Sequence, residues 1–414
     1  MSTARTSGDV IEAVWGIESP RLIAGLARVV RDVGVAEELA QDAFVSALEQ
    51  WPGEGIPNKP GAWLMSVAKR RAIDRFRREE TAERKLGEFT STAFEPDFSE
   101  RIDGIDDDLL RLMFVACHPV LSLEARLALT LRLLGGLSTS EIARAFLISE
   151  PTVAQRIVRA KRTLSEARVP FEVPDAAARA ERLASVLEVL YLIFNEGYSA
   201  TSGNDVLRPE LCQEATRLGR VVAEMLPHEC EVHGLVALME IQASRTRARI
   251  GPAGEHVLLL DQDRSRWDQP RIRRGLAALQ RAEECEGPLG KYTLQAAIAA
   301  CHARARVADD TDWERIAALY DALAQLAPSP VVELNRAVAI GLAFGPAAGL
   351  ELVDGLLNEP SLKRYHLLPS VRGDLLEKLQ RFSEASAEFE RAAELAGNAR
   401  DRDLLKLRAA RCRF

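Results

Sequence analysis

The chain has 414 residues, enough for two to four compact domains with sizeable cores. Its 47% of hydrophobic and 28% of charged residues are ordinary for a soluble globular protein, and no apolar stretch is long enough to span a bilayer. The N-terminus lacks the apolar segment of a signal peptide, so we expect a cytoplasmic protein with no membrane partner. The net charge of −7 argues against nucleic-acid binding unless positive charge is concentrated locally.

Almost every segment of the sequence predicts helix. Apolar residues recur at spacings of three and four, and alternating β-branched runs are nearly absent, so we expect an all-α fold. We predict a helical domain over 1–80, a flexible acidic linker over 81–105 and a second helical domain over 106–170. A helical extension over 171–289 and repeated helical hairpins over 290–414 follow.

The first domain ends in a strongly basic helix. Helices predicted over 20–33 and 36–51 lead through a Pro- and Gly-rich loop at 52–60 to an amphipathic helix over 61–78. From residue 69 onward this helix carries a single acidic residue, Asp74, and six basic ones: Lys69, Arg70, Arg71, Arg75, Arg77 and Arg78. Such a local density of positive charge favours contact with nucleic-acid phosphates despite the negative net charge.

Residues 137–164 have the pattern of a helix-turn-helix. Ser138 predicts a helix N-cap, and Glu141 three residues later completes a capping box. The turn falls at 147–149, where Ser149 predicts the cap of the second helix. Pro151 is tolerated in the first turn of that helix.

The second helix of this motif is predicted to face DNA. The core between the two helices is expected from Ile142, Ala143, Ile148, Val153 and Ile157. The outward residue types read base edges and bind phosphates in a major groove: Thr152, Gln155, Arg156, Arg159 and Arg162. The alternative is a helical hairpin whose basic face is merely solvated, and the capping and spacing make it the weaker interpretation.

The C-terminal region carries a degenerate internal repeat. Tetratricopeptide units are helical hairpins of about 34 residues, with small residues where the helices cross and a proline near the end. The last unit matches this pattern at Gly373, Leu376, Ala385, Phe389 and Ala392, and an earlier one at Tyr320, Leu323 and Pro328. Residues 331–365 match weakly. Because one hairpin cannot bury its apolar face alone, we predict three stacked repeats in a helical solenoid over 290–412.

The two basic segments together resemble a known family. The stretch GLSTSEIARAFLISEPTVAQRIVRAKRTL resembles region 4 of bacterial sigma factors, which reads the −35 promoter element. AEELAQDAFVSALEQW with GAWLMSVAKRRAIDRFRR resembles region 2 of the extracytoplasmic-function (ECF) group of the sigma-70 family. This resemblance covers residues 10–168 and implies a region 2 helical bundle and a region 4 helix-turn-helix.

The remainder of the chain indicates which subgroup of the family the sequence resembles. YLIFNEGYSA and DQDRSRWD, followed by tetratricopeptide-like helices, are similar to an ECF subgroup with a C-terminal extension. In that subgroup the extension is thought to replace a separate anti-sigma factor, which implies a regulatory role here.

The resemblance also implies a docking surface for core RNA polymerase. On the helix over 36–51, the residues that would meet the β′ clamp helices are Glu37, Glu38, Gln41, Asp42 and Phe44. An acidic amphipathic helix can meet a basic coiled coil through steering charges and apolar anchors. The alternative is a helix that only packs inside its own domain, and Leu39, Ala43 and Leu48 have the character of core residues.

In the family, the basic helix and the loop before it capture an unstacked non-template base of the −10 element. The matching base-capturing candidates are Asn58, Lys59, Lys69, Arg70 and Arg71, and the phosphate-binding candidates are Arg75, Arg77 and Arg78. Arg70 departs from the family, in which Asn is common at this position, so the identity of the captured base stays open. Trp63 favours a core role over that of a melting wedge.

The extension motifs predict contacts within the chain or with a partner. Their candidate residues are Asn195, Glu196, Tyr198, Asp263, Arg264, Arg266, Trp267 and Asp268. A regulatory protein or peptide is expected at the C-terminal solenoid. His228, Cys230 and His233 lack the spacing of zinc ligands, so we expect no metal and no cofactor. The six cysteines contain no CxxC pair, and we expect buried free thiols in a reducing compartment.

These observations favour a non-enzymatic sigma factor that directs core RNA polymerase to promoters and is regulated by its extension. The alternative from another class is a helix-turn-helix regulator with ligand- or peptide-sensing repeats, which would leave residues 36–78 without a role. An enzyme is a third class. It could use Glu196 and Tyr198 as acid and base, but no histidine, metal set or phosphate-binding loop accompanies them, and it requires a deep pocket around 191–268.

Overall fold

The computed structural model describes residues 7–86, 105–146, 148–198, 208–251, 257–397 and 399–413. These residues form eighteen α-helices and no strand, which confirms the all-α prediction. The chain divides into two compact units, Met1–Ile193 and Phe194–Phe414, with the boundary inside one helix. None of the described helices combines the length and apolar character that crossing a bilayer requires.

Unit 1 contains seven helices and most of an eighth. They are α1 (Ser7–Val30), α2 (Val33–Glu54), α3 (Pro60–Leu86), α4 (Ile105–Ala116), α5 (Leu123–Leu133), α6 (Thr139–Phe146), α7 (Glu150–Glu166) and α8 (Ala176–Tyr198), the last of which continues into unit 2.

Three predicted helix boundaries in unit 1 are wrong. Helix α1 begins at Ser7 and contains Pro20, and α2 continues through Pro52 to Glu54. Sequence patterns treat proline as a boundary because it lacks a backbone donor, but packing against neighbouring helices can keep the chain helical through it. Helix α3 runs past residue 80 to Leu86, and most of the predicted linker, 87–104, lies outside the described residues.

The helices of unit 1 share a continuous apolar core. Helices α1, α2 and α3 pack on one another around Leu26, Leu39 and Leu64, all at most 2% exposed. Helix α4 packs on α1, and α5 and α6 both pack on α7. Leu129 of α5 and Val153 of α7 are fully buried. The two domains predicted over 1–80 and 106–170 therefore lie against each other.

The first half of α8 is hydrogen-bonded to the domain predicted over 106–170. Arg182 Nη2 donates to the Phe114 carbonyl at 2.9 Å, and Ser185 Oγ donates to the Cys117 carbonyl at 2.6 Å. Arg126 Nη1 of α5 donates to Ser185 Oγ at 2.6 Å. These bonds satisfy orphan carbonyls at the end of α4. A chain cut near residue 170 would therefore lose part of the support of its helix-turn-helix domain.

Unit 2 contains ten further helices. They are α9 (Pro209–Met225), α10 (Cys230–Ser244), α11 (Gln269–Glu284), α12 (Lys291–Arg304), α13 (Trp313–Leu326), α14 (Pro330–Phe344), α15 (Pro346–Gly355), α16 (Leu367–Lys378), α17 (Phe382–Leu395) and α18 (Ala399–Arg411). From α12 onward each helix packs on the next one along the chain.

The residues that carry the repeat pattern lie where helices cross. Phe389, Leu376 and Ala385 are fully buried in one cluster, and a Cβ added at Gly373 would lie 2.8 Å from the Phe389 ring. The weakly matching unit has the same kind of crossing, because a Cβ added at Gly349 would lie 2.8 Å from the Gly341 Cα. The tetratricopeptide assignment itself stays a prediction.

The close helix crossing at Gly373 predicts how one added methyl group changes the stability of unit 2. Replacing Gly373 with Ala should lower the free energy of unfolding of unit 2 by about 1–3 kcal/mol, because the buried Phe389 ring occupies the space. The matched control is Gly355→Ala, whose added Cβ would meet nothing within 4 Å and should leave stability unchanged or slightly higher. Urea unfolding followed by circular dichroism measures both, and equal midpoints would contradict the close crossing.

Candidate nucleic-acid interface

Two side-chain caps build the helix-turn-helix. At the start of α6 the Glu141 N–H donates to Ser138 Oγ at 3.2 Å, while the Ser138 N–H donates to Glu141 Oε2 at 2.8 Å. At the start of α7 the Thr152 N–H donates to Ser149 Oγ at 3.3 Å. Both predicted caps are confirmed, and each satisfies backbone donors that a helix start leaves without an intrahelical acceptor.

The seam between α6 and α7 fixes which face of α7 points outward. The predicted core residues are buried at four positions and half-buried at Ile148; the buried ones are Ile142, Ala143, Val153 and Ile157. Leu147, in the predicted turn, lies outside the described residues. With Val153 and Ile157 turned inward, Gln155, Arg159 and Arg162 are exposed, whereas Thr152 and Arg156 are half-buried.

Sequence reasoning missed Val158 on this outward face. Its side chain is 64% exposed, and helical spacing places it beside Gln155 and Arg162. An exposed apolar side chain in a helix predicted to read DNA suits contact with a thymine methyl group. No local pattern signals this exposure, because a valine in an amphipathic helix is ordinarily a core residue.

The residues predicted to act at the −10 element fall into two groups. Asn58, Lys59 and Lys69 line a cavity of about 400 Å³ beside α1 and the start of α3. Arg28 of α1 and Asp108 of α4 also line it. The structure therefore brings three base-capturing candidates together, and a residue of the helix-turn-helix domain forms part of the same wall.

Two arginines of α3 pair with residues of α2 while staying partly exposed. Arg71 Nη2 donates to Ser46 Oγ at 2.7 Å, and Arg71 Nη1 lies 3.4 Å from Asp42 Oδ2. Arg75 Nη1 lies 2.8 Å from Glu38 Oε2. The acidic residues of α2 thus neutralise part of the basic helix. The other arginines of the predicted set are exposed: Arg70, Arg77 and Arg78.

Trp63 packs beside the start of the basic helix. Its ring lies 5.2 Å from that of Trp51 in an edge-on arrangement, and Trp51 is only 3% exposed. Trp63 itself is half-buried. This contact supports the core role over that of a melting wedge.

The predicted polymerase-binding residues all lie on α2, but their surroundings differ. Glu38 and Asp42 are exposed, and both pair with the arginines of α3. Phe44 is half-buried and stacks at 4.6 Å on a tryptophan of α1. Gln41 Nε2 donates to Glu37 Oε1 at 2.8 Å, and Glu37 is only 3% exposed. Glu37 is therefore not available to a partner in this conformation.

Glu37 is buried against the helix-turn-helix domain. Arg132 Nε of α5 donates to Glu37 Oε1 at 2.7 Å, and Lys161 Nζ of α7 contacts Glu37 Oε2. A Cβ added at Gly34 would lie 3.9 Å from Lys161 Cβ, so α2 and α7 approach closely. A single carboxylate of the first domain thus pairs with two cations of the second, one of them on α7, the helix predicted to face DNA.

A second ion pair joins the two domains. Arg28 Nε of α1 lies 3.2 Å from Asp108 Oδ2 of α4, and Arg111 Nη1 lies 2.7 Å from Asp108 Oδ1. Asp108 is 3% exposed. Burial raises the pKa of its carboxyl, and the two arginines only partly oppose this. The interface between the domains therefore contains two buried carboxylates, each paired with cations.

The two extension motifs meet at Arg245, which sequence reasoning also missed. Arg245 Nη2 donates to Tyr198 Oη at 3.0 Å, and the Arg245 guanidinium lies 5.8 Å from the Trp267 ring centre. Arg264 lies 5.2 Å from the same ring centre. Arg245, Trp267 and Arg264 are each less than 10% exposed. Of the two predicted roles, internal anchoring is supported for these residues.

Arg264 anchors the motif to the end of α12. Its Nη1 donates to the carbonyls of His302 at 2.7 Å and Ala305 at 2.8 Å, and its Nη2 donates to Thr311 Oγ1 at 3.0 Å. A cation at a helix C-terminus satisfies terminal carbonyls and complements the helix dipole. This one arginine therefore joins the motif to the start of the predicted repeats.

The remaining motif residues make local contacts. Glu196 pairs with Arg208 at 2.6 Å, and Arg266 donates to a backbone carbonyl at 2.7 Å. Asp263 and Asp268 accept N–H groups at the starts of a 3-10 turn and of α11, and Asn195 is half-buried. Glu196 and Tyr198, the acid–base pair of the enzyme alternative, are thus each engaged by arginines, which weakens that alternative.

His302 makes the stability of this anchor depend on pH. Burial, with Arg245 and Arg264 nearby, lowers the pKa of His302 from 6.5 to about 3. The fold therefore favours the neutral ring, and this contribution is present above pH 6.5 and lost as the pH falls towards 3. Between pH 6.5 and 5 we expect the free energy of unfolding to fall by about 2 kcal/mol from this group.

The measurement compares the parent protein with His302→Gln, which cannot titrate. Urea unfolding at several pH values should show a shallower loss of stability in the variant over this range. Parallel pH profiles for the two proteins would contradict the buried, neutral histidine.

Comparisons with known proteins agree with this architecture. Residues 17–81 match the model of sigma-70 region 2, residues 111–164 that of sigma-70 region 4, and residues 182–283 a family of unknown function, DUF6596. An uncharacterized protein of Rhizobium meliloti is 45% identical over 395 residues, covering 94% of this chain and 92% of its own. No solved structure matches the chain significantly.

Two relatives with sigma-factor names match a smaller share of the chain. The ECF RNA polymerase sigma factor SigK of Mycobacterium sp. strain KMS is 28% identical over 157 residues, covering 36% of this chain and 78% of its own. The probable ECF RNA polymerase sigma factor SigI of Mycobacterium tuberculosis is 27% identical over 175 residues, covering 41% and 60%. The two sigma models match in the order and spacing that the structure gives to α1–α3 and α4–α7. The chain therefore belongs to the sigma-70 family, as an ECF sigma factor with a C-terminal extension.

Proposed function

We propose that this sigma factor directs core RNA polymerase to specific promoters in the cytoplasm and that its C-terminal extension regulates this activity. Region 4 would contact the −35 duplex through α7, where Gln155 and Arg159 are exposed. Region 2 would bind the β′ clamp helices through α2 and hold the −10 strand at the cavity of Asn58 and Lys59. The chain binds and positions its partners and performs no covalent chemistry.

The observation that carries the regulatory part of this proposal is the burial of Glu37. This residue lies on the helix expected to dock on polymerase, yet it pairs with Arg132 and Lys161 of region 4. Polymerase binding through this surface and packing of region 2 on region 4 would then exclude each other. We therefore interpret the described conformation as a closed state that must open before transcription starts.

The extension is well placed to influence this opening through α8. The first half of α8 is hydrogen-bonded to region 4 through Arg182 and Ser185, and the same helix continues into the unit that carries the extension motifs. A partner that binds the solenoid would need to favour one state over the other to act. The alternative, a helix-turn-helix regulator that works without polymerase, gives no role to the region 2 match.

The promoter-binding part is tested with Arg159→Ala, assayed as a complex with core polymerase on a promoter selected from random DNA. Loss of one phosphate contact should weaken binding on all sequences and reduce the salt slope of log K by about 1. The control is Arg391→Ala, since Arg391 is exposed on α17, far along the chain from region 4. Specific promoter binding by the sigma factor without core polymerase would instead support the regulator alternative.

The regulatory part is tested in the same transcription assay with a chain truncated after residue 198. This cut keeps the α8 contacts with region 4 that a cut near 170 would remove. A changed transcript yield relative to the full chain supports regulation by the extension. Equal yields would show that the extension has no such role.

The closed state predicts a gain of function from region 4 variants. Replacing Arg132 and Lys161 together with Met removes both cationic partners of Glu37 while keeping unbranched side chains at the two positions. A buried carboxylate without a compensating positive charge is strongly unfavourable, so the closed state should lose several kcal/mol, on the order of 3. The affinity for core polymerase should rise at least about tenfold, measured by competition with a labelled sigma factor.

Arg391→Met is the control for this pair, because Arg391 lies outside unit 1 and is exposed. An affinity for core polymerase that stays equal to that of the parent protein in the double variant would contradict a closed state held by Glu37.

A further inference from the structure

Two of the six cysteines do not fit the prediction of buried thiols. Cys117, Cys212, Cys301 and Cys412 are buried, but Cys230 and Cys285 are half-exposed. Cys230 is the first residue of α10, and Cys285 directly follows the last residue of α11. Because α10 and α11 pack along each other, the beginning of one and the end of the other lie side by side.

The two thiols lie close enough to influence each other. The neighbouring Cys230 side chain is the main cause of the raised pKa of the Cys285 thiol, about 11, and burial adds to it. Cys285 Sγ also lies 3.4 Å from the Arg281 carbonyl oxygen, and Cys230 Sγ lies 3.9 Å from that of His228. Both cysteines are partly exposed, so small oxidants have access to them.

The segment after Cys285 contains a glycine in a conformation that other residues rarely adopt. Gly287 has a φ of +122°, which favours glycine, and an added Cβ there would meet nothing within 4 Å. The two sulfurs must approach to about 2.05 Å to form a disulfide. The loop that begins at Cys285 is the segment that would have to move for this.

The cysteine pair adjoins the joint between two parts of the extension. Next to Cys230, the Glu231 carboxylate accepts the N–H groups of Tyr292 at 2.8 Å and Thr293 at 3.0 Å, which begin α12. Cys285 lies in the only stretch of chain between α11 and α12. A bond between Cys285 and Cys230 would therefore also restrain the connection from α11 to α12, where the repeat-like helices begin.

We propose that Cys230 and Cys285 form a reversible disulfide when the protein meets a hydroperoxide, and that this bond staples the joint between α11 and α12. The Cys230 sulfur attacks the peroxide, giving a sulfenic acid on Cys230 and releasing an alcohol or water. The Cys285 thiol then attacks that sulfur, the S–S bond forms, and water leaves. Two thiols lose two electrons and two protons, and the peroxide O–O bond is reduced.

The roles of the two sulfurs follow from their surroundings. A raised pKa keeps the Cys285 thiol protonated at neutral pH, so it is the weaker first nucleophile and acts as the resolving partner. In a reducing compartment such a bond is transient and is returned to thiols by the cellular reductants, which is the behaviour of redox-sensing disulfides.

The test uses the full-length reduced protein exposed to a small excess of hydrogen peroxide. Thiols are then counted with a chromogenic disulfide reagent under denaturing conditions, and linked peptides are mapped without reduction. We expect the loss of two of the six thiols and one linked peptide pair containing Cys230 and Cys285. Dithiothreitol should restore all six. Retention of six thiols, or linkage of any other pair, would overturn the proposal.

Matched variants separate this pair from the remaining cysteines. Cys412→Ser, at a buried thiol, should still lose two thiols, whereas Cys230→Ser and Cys285→Ser should yield no intramolecular linked peptide. The thermal midpoint of the oxidised full-length protein should rise by roughly 5 °C relative to the reduced protein. An unchanged midpoint in protein whose disulfide is confirmed by mapping would refute the stapling. The result on the unmodified chain does not depend on whether any variant folds, or on promoter binding.

Discussion

The described conformation of the N-terminal unit depends on one buried carboxylate. Glu37 leaves water only because Arg132 and Lys161 from the other sigma region compensate its charge, where α7 packs close to Gly34 of α2. A buried ion pair of this kind gains little net free energy, since all its members are well hydrated when apart, but a carboxylate left buried alone is very unfavourable. The contact of Glu37 with Arg132 and Lys161 therefore favours one relative arrangement of the two regions. It nevertheless opens at a modest cost in free energy, because all three charges are hydrated again when the regions separate. That combination suits a surface which polymerase must later occupy.

The two extension motifs are held by a different kind of chemistry. Arg245, Arg264 and Trp267 are buried inside the C-terminal unit, and their partners are hydroxyl, amide and carbonyl groups rather than solvent-exposed acids. Such an anchor resists rearrangement, because a guanidinium with fewer hydrogen bonds would remain buried. We therefore assign adaptability to the contacts around it: the α8 bonds to region 4 in one unit, and the cysteine-bearing joint in the other.

Local patterns predicted the fold and the helix-turn-helix well. The Ser138 and Ser149 caps, the inward Val153 and the crossing at Gly373 all follow from rules that act over a few residues. The pairing of Glu37 with Arg132 joins residues 95 positions apart, and nothing in the local pattern of α2 separates a docking acid from a buried one. Arg245 was missed for a similar reason: it lies outside both extension motifs and matters only because the fold brings them to it. Pro20 and Pro52 show the converse, where tertiary packing overrides a strong local signal.

The central claim is that regions 2 and 4 must separate for the factor to work. A disulfide between Gly34→Cys and Lys161→Cys tests it directly, because the added Cβ at 34 would lie 3.9 Å from that at 161, within the range a disulfide spans. The pair is introduced together with Cys230→Ser and Cys285→Ser, so that the engineered bond is the one formed on oxidation. The account predicts that the oxidised protein neither binds core polymerase nor supports promoter-dependent transcription, and that reduction restores both. Undiminished binding and transcription by the fully cross-linked protein would contradict it.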